Sequence, residues 1–426
     1  MSAMARVRGR QVGDSRGRRT IEVEVTLADG ASGRAIAPSG ASTGRREALD
    51  RRDGGQRLGG YGVDGAIAAV NGPIATALHG LEAGDQAAID ATLLALDGTP
   101  QKTALGGNAI VATSLAVAWA AAASAGVPLW QHLRQLAGLT DPVVVPLPMI
   151  QIFGGGRHAG NRIDVQDYLV LALSARSFAE AVEMTAEVYM AAASAMQQRG
   201  RLHGVADEGG VWPDFSANDE GLSLLTRAIE AAGLKPGTDI GIALDVAASS
   251  FVNDDHYVLA LEGKRYSTGQ MIDMLEGWVR DYAIVSLEDP LAEDDDAGFV
   301  EITRRLGGRV QIIGDDYFAT NAARVEHGAA IGACNSVLLK ANQCGTVSEL
   351  IAAAATTRSL GWNAIQSGRS GESEDVSLSH LAVGLGSQQI KVGSMTRSER
   401  TAKWNEVIRI EEKHGLAPWQ FTLPRS

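Results

Sequence analysis

The sequence is poor in cysteine, in positive charge and in long apolar runs, and each shortage removes a class of function. Two cysteines, Cys334 and Cys344, stand among 426 residues. They form neither a disulfide framework nor a CxxC metal motif, and they read as small packing residues of a reducing, cytoplasmic compartment. Lys and Arg number 38 against 50 Asp and Glu, a formal net charge of −12. No dense basic run occurs, which argues against a nucleic-acid partner. Residues 1–10 are basic but lack the apolar stretch of a signal peptide. The longest Ala-rich stretch, residues 110–127, is broken by Ser114, Trp119 and Ser124. It reads as a buried helix, and no membrane partner is expected.

What is present divides into two rhythms. Residues 20–27 alternate Ile21, Val23, Val25 and Leu27 with Glu22, Glu24 and Thr26, the period of a half-buried strand. Ala28-Asp29-Gly30 is a turn and residues 32–36 return from it. Residues 38–44 form a small-residue loop, and helical patterns follow at 62–78, 85–96 and 108–125. Three prolines in residues 141–148 mark a boundary, giving an N-terminal α+β capping domain over 1–140 and a C-terminal β/α barrel over 141–426. In the second part, apolar runs of strand length end in Asp245, Glu288, Asp315, Lys340, Ser367 and Lys391, the last five of them 24–27 residues apart. That spacing suits one βα unit of a barrel, whose strand ends, with Arg369 just beyond one of them, face one mouth.

The residue types on that ring suggest a chemistry. Asp245, Glu288 and Asp315 offer hard oxygen ligands suited to Mg²⁺. A lone strand-end acid is usually a helix cap; three in register with cations following read better as a metal site. Lys340 or Lys391, near a second cation in a partly dry mouth, can serve as a base. Removing a proton next to a carboxylate builds up negative charge, which a divalent ion offsets. Glu208, in Asp207-Glu208-Gly209-Gly210, is a candidate general acid for the leaving group.

These motifs, with Asp14-Ser15-Arg16-Gly17, Pro38-Ser39-Gly40-Ala41-Ser42-Thr43-Gly44, Ser286-Leu287-Glu288-Asp289-Pro290, Leu339-Lys340-Ala341-Asn342-Gln343 and Arg397-Ser398-Glu399-Arg400, resemble those of the enolase family in order and over nearly the whole chain. The resemblance implies that Asp245, Glu288 and Asp315 bind a first Mg²⁺ and Ser42 a second. It implies Lys340 as the base at C2 and Glu208 as the acid at the 3-hydroxyl. It implies Arg369 and Ser370 as the phosphate clamp, Lys391 beside the substrate carboxylate, and His158 in a mobile loop. It also implies a homodimer or higher homo-oligomer, with Glu22 and Arg409 paired across the dimer.

Several positions depart from the family pattern. Gln166-Asp167-Tyr168 replaces Gln-Glu-Phe, which shortens a site carboxylate by one CH₂. Ser367-Gly368-Arg369-Ser370 replaces Ser-His-Arg-Ser. Gly154-Gly155-Gly156 replaces Asn-Gly-Gly, and Arg157 stands where a small residue is usual. Gly368 is expected to add room, Gly154 loop freedom and Arg157 positive charge. The substrate expected is therefore a small, anionic phospho- or phosphono-carboxylate bulkier at phosphorus than 2-phosphoglycerate. The first expectation is an enzyme resembling carboxyphosphonoenolpyruvate synthase of phosphonate antibiotic biosynthesis. The alternatives are ordinary dehydration of 2-phosphoglycerate and an inactive enolase-fold binding protein.

Overall fold

The computed structural model describes residues 2–41, 44–253 and 256–424. Strands Met4–Gly13, Arg19–Leu27 and Ser32–Ile36 form an antiparallel meander. The turn expected at Ala28-Asp29-Gly30 closes the second hairpin, with Gly30 at φ 88°. Helix Gly107–Ser124 lies on this sheet and is buried along most of its length. Long and apolar enough to cross a membrane by composition alone, it is here the core helix of the capping domain. Gly33 permits the contact: a Cβ there would sit 2.2 Å from the Ala120 backbone nitrogen. The helical pattern at 62–78 is realised as Asp64–Ala69 and Ala75–Leu78 joined by a π-turn, Val70–Ile74, that contains Pro73. Proline lacks the N–H that a regular turn would use.

Eight strands close a barrel in chain order: Leu147–Gly154, Asp167–Ala172, Ile240–Asp245, Ile284–Glu288, Gln311–Gly314, Ser336–Leu339, Asn363–Ser367 and Gln389–Gly393. These strands are almost wholly buried, as expected where helices cover a barrel outside and side chains fill it inside. One feature differs from a uniform βα repeat. The second strand runs antiparallel to both neighbours. The segment before it, residues 155–166, holds only the short 3₁₀ turn Gly156–Ala159. A parallel crossover usually needs a helix, so the chain returns as a hairpin. The reversal matters for the site: Asp167, at the start of its strand, reaches the mouth where the other strands end.

Candidate active site

Neighbouring strand ends place Asp245, Glu288 and Asp315 around the mouth. The two lysines cross to meet them. Lys391 Nζ donates to Asp245 Oδ2 at 2.8 Å and Glu288 Oε2 at 2.7 Å, and lies 3.7 Å from Asp167 Oδ2. Lys340 Nζ donates to Asp315 Oδ2, and Gln343 Nε2 donates to Asp315 Oδ1 at 2.8 Å. Burial pushes the Glu288 carboxyl well above the usual range and Asp245 adds to it. Glu288 Oε1 and Gln166 Oε1 are buried without a hydrogen-bond partner. Crowded acids with an orphaned oxygen fit a hard divalent cation.

The side-chain oxygens of Asp289, Asp315 and Asp316 also converge within 4.8 Å. Asp289, at φ 38°, accepts the backbone N–H groups of Asp315 and Asp316, both at 2.8 Å. Both its oxygens shape the turn after the fifth barrel strand.

Burial is the largest influence on the Lys340 pKa and lowers it, but Asp315 and Glu288 together with the other contacts leave the amine above the ordinary lysine range. The nearby carboxylates decide the sign.

The loop after the seventh strand carries the expected clamp residues. Arg369 donates to both Glu47 oxygens, at 2.8 and 3.2 Å, and to Asn342 Oδ1 at 3.1 Å. Glu47 holds the buried guanidinium protonated and fixes its plane. Ser370 Oγ accepts from Arg16 at 3.2 Å, and the same Arg16 donates to the carbonyls of Ser39 and Gly40. Arg16 therefore ties the capping domain's small-residue loop to the clamp. Ser367 donates to the Gly368 carbonyl at 3.1 Å. Ser42 lies outside the described residues.

His158 is buried between two carboxylates, with Nδ1 3.0 Å from Asp167 Oδ1 and Nε2 3.7 Å from Glu208 Oε1. Burial would lower its pKa, but Glu208 and Asp167 raise it to about 9. Asp167 is buried too; His158 and Lys391 nevertheless bring its pKa below the ordinary value. Gln166 donates to Asp245 Oδ2 at 3.1 Å. One cleft is lined by His158, Gln166, Asp167, Glu208, Asp245, Lys340, Ser367, Gly368, Arg369, Ser370 and Lys391.

The chain matches the sequence model of the enolase N-terminal domain over residues 4–133 and that of the enolase C-terminal TIM barrel domain over residues 142–419. It is 47% identical over 412 residues to Enolase 1 of Desulfitobacterium hafniense (strain Y51), covering 96% of this chain and 93% of that protein. The chain belongs to the enolase family. Enolases are Mg²⁺-dependent carbon–oxygen lyases acting on a small phospho-carboxylate, and the strand-end acids agree with that requirement.

Within an enolase barrel, the departures noted in the sequence take on packing reasons. A Cβ at Gly368 would lie 3.1 Å from Glu372 Oε1 and 3.3 Å from Leu378 Cδ2. Side-chain ends therefore crowd this glycine on one side, while it also lines the cleft. A Cβ at Gly154 would lie 2.7 Å from Ala206 Cβ, so this glycine answers a close approach and not a need for loop freedom. Arg157 is exposed and lines a neighbouring chamber with Arg45, Ser249 and Asp316. Its guanidinium faces the Ala41 carbonyl at 3.5 Å. Sequence reasoning missed Glu47, Gln151 and Arg16 as site-building residues. Glu47 lies three residues past the quoted loop motif, and Gln151 is a polar residue inside an apolar strand; both were available signals.

Proposed function

We propose that this enolase is a phosphopyruvate hydratase, which dehydrates 2-phosphoglycerate to phosphoenolpyruvate in the cytoplasm. The observation that carries the reading is that Lys340, Glu208 and the Arg369–Ser370 clamp line one cleft with Lys391 and Asp245. Arg369 and Ser370 hold the phosphate, and Lys391 sits beside the carboxylate. Asp245, Glu288 and Asp315 would hold the first Mg²⁺, with Ser42 the candidate ligand of a second. The ions, when bound, offset the charge that grows on the substrate carboxylate. Lys340 takes the C2 proton; Asp315 and Glu288 are the carboxylates that act on its amine. Glu208 gives a proton to the departing 3-hydroxyl, with the His158 imidazolium beside it.

The reading with a bulkier phosphonate substrate has weaker support. Gly154 is a packing glycine, a Cβ at Gly368 would already press on Glu372 and Leu378, and the 47% identical relative is named an enolase. The inactive-scaffold reading leaves the buried lysine–carboxylate contacts without a purpose.

Turnover of 2-phosphoglycerate with Mg²⁺, read as phosphoenolpyruvate absorbance, is the test. Chelation should abolish it, and Lys340→Ala should lower kcat by about 10²–10⁴-fold. Inert 2-phosphoglycerate beside turnover of a phosphonoformate-derived donor would reverse the order of the two readings.

A further inference from the structure

Gln151 lies on the first barrel strand, fully buried, and its amide is used at both ends. Nε2 donates to Asp167 Oδ1, and Oε1 accepts the Gly210 backbone N–H at 2.9 Å. Asp167 meets His158 Nδ1 at 3.0 Å, and His158 Nε2 faces Glu208 at 3.7 Å. Glu208 leads through Gly209 back to Gly210, so these groups form a closed ring. The Asp207 N–H also donates to the His158 carbonyl at 3.0 Å, bracing the two loops.

The backbone is cut to admit this amide. A Cβ at Gly210 would fall 2.4 Å from Gln151 Oε1, and one at Gly154 would fall 3.1 Å from it. Contact with a carboxylate and an N–H at once requires a donor and an acceptor on one side chain, which an uncharged amide supplies. Asp167 has a short arm, and the long arm of Gln151 spans the remaining distance.

We propose that Gln151 is a positioning residue for departure of the leaving group, fixing the Asp167–His158 pair relative to the Glu208 loop. The proposal rests on the dehydration reading above and adds a separation between its two halves. Lys340 is held by a different set, Asp315 and, through its backbone N–H, Thr320 Oγ1. The ring approaches the strand-end acids through Asp167 Oδ2, 3.7 Å from Lys391 Nζ. Loosening Gln151 should therefore spare proton removal at C2 and slow loss of the 3-hydroxyl.

The test uses the full-length enzyme with Mg²⁺ and 2-phosphoglycerate in D₂O, following C2 deuterium exchange and phosphoenolpyruvate formation together. Gln151→Met keeps the length and removes both hydrogen bonds; Gln151→Asn shortens the arm. Each should lower kcat about 10- to 100-fold, the size of one or two lost buried hydrogen bonds, with KM and C2 exchange changed less than about threefold. Adding Asp167→Glu to Gln151→Asn moves the missing CH₂ to the carboxylate and should recover about tenfold, whereas Asp167→Glu alone should lose activity. Equal loss of exchange and dehydration, purely additive losses, or failure of both Gln151 variants to fold would overturn the role. Absence of both exchange and dehydration in the unsubstituted enzyme would overturn the dehydration reading, and this role with it.

Discussion

His158 sits where a proton is easily kept. Burial opposes the imidazolium, yet Asp167 and Glu208 hold its pKa at about 9, against 6.5 for the free side chain. A pKa raised by folding contributes stability that is complete below the unfolded value and lost as pH rises through the folded one. The window is therefore from about 6.5 to about 9. The stability gap between the unsubstituted protein and His158→Gln should be widest near pH 6 and should close above pH 9, as read by denaturant unfolding across pH. By NMR, Asp167→Asn should lower the His158 midpoint by about 1 to 2 pH units, since one of two neighbouring charges is removed. Single residues were legible where local pattern isolates them. Asp245, Glu288 and Asp315 each end an apolar run and read directly from it. Glu47 and Gln151 were not legible. Their roles come from contacts across the fold, Glu47 to Arg369 over 322 positions and Gln151 to Gly210 over 59. No local period records such pairs.

Helix Ser398–His414 shows what an element contributes beyond its residues. Its polar face is not all solvent-directed: Arg400 and Lys403 are fully buried. Arg400 donates to the carbonyls of Arg369, Ser370 and Val392, at 2.6, 2.5 and 2.9 Å. Lys403 pairs with Glu372 at 3.1 Å, and Glu372 accepts the Arg369 N–H at 2.9 Å. The clamp loop is thus carried by the last long helix, about thirty residues further along the chain. Arg400→Met would leave three carbonyls without this donor at a cost of roughly 1–3 kcal/mol each before relaxation. A lowered melting temperature and a KM for 2-phosphoglycerate raised about tenfold are expected, with the Lys340 exchange step retained once substrate saturates. A normal KM in the folded variant would show that the loop holds its shape unaided. Most elements were legible, because βα alternation and hairpin turns are short-range patterns. The antiparallel second strand was not, since apolar content says nothing of strand direction and the short loop before it was the deciding clue.

Charge is distributed over the whole molecule in a way that bears on assembly. The chain carries −12 overall, and part of that excess gathers on one open groove. Glu22, Glu24, Glu374 and Asp375 line it with Trp119 and a single cation, Arg34, around about 590 Å³. Acids clustered beside an aromatic suit a cationic partner surface, since the rim supplies charge and the ring apolar area. Arg10 already contacts Glu22 and Glu24, so a second arginine meeting Glu22 would come from outside this set. Arg409 is a suitable donor: its side chain is 64% exposed and held only at 2.8 Å from Glu406 on its own helix. The family resemblance pairs Glu22 with Arg409 between subunits, and the groove gives that pairing a physical reason. The enzyme should sediment as a dimer. Arg409→Glu places a like charge against Glu22 and should weaken association by about tenfold or more, with partial recovery on Glu22→Arg. A charge exchange that restores the dimer would place both residues on one contact; a dimer indifferent to either change would put the interface elsewhere and leave the acidic groove to another cationic ligand.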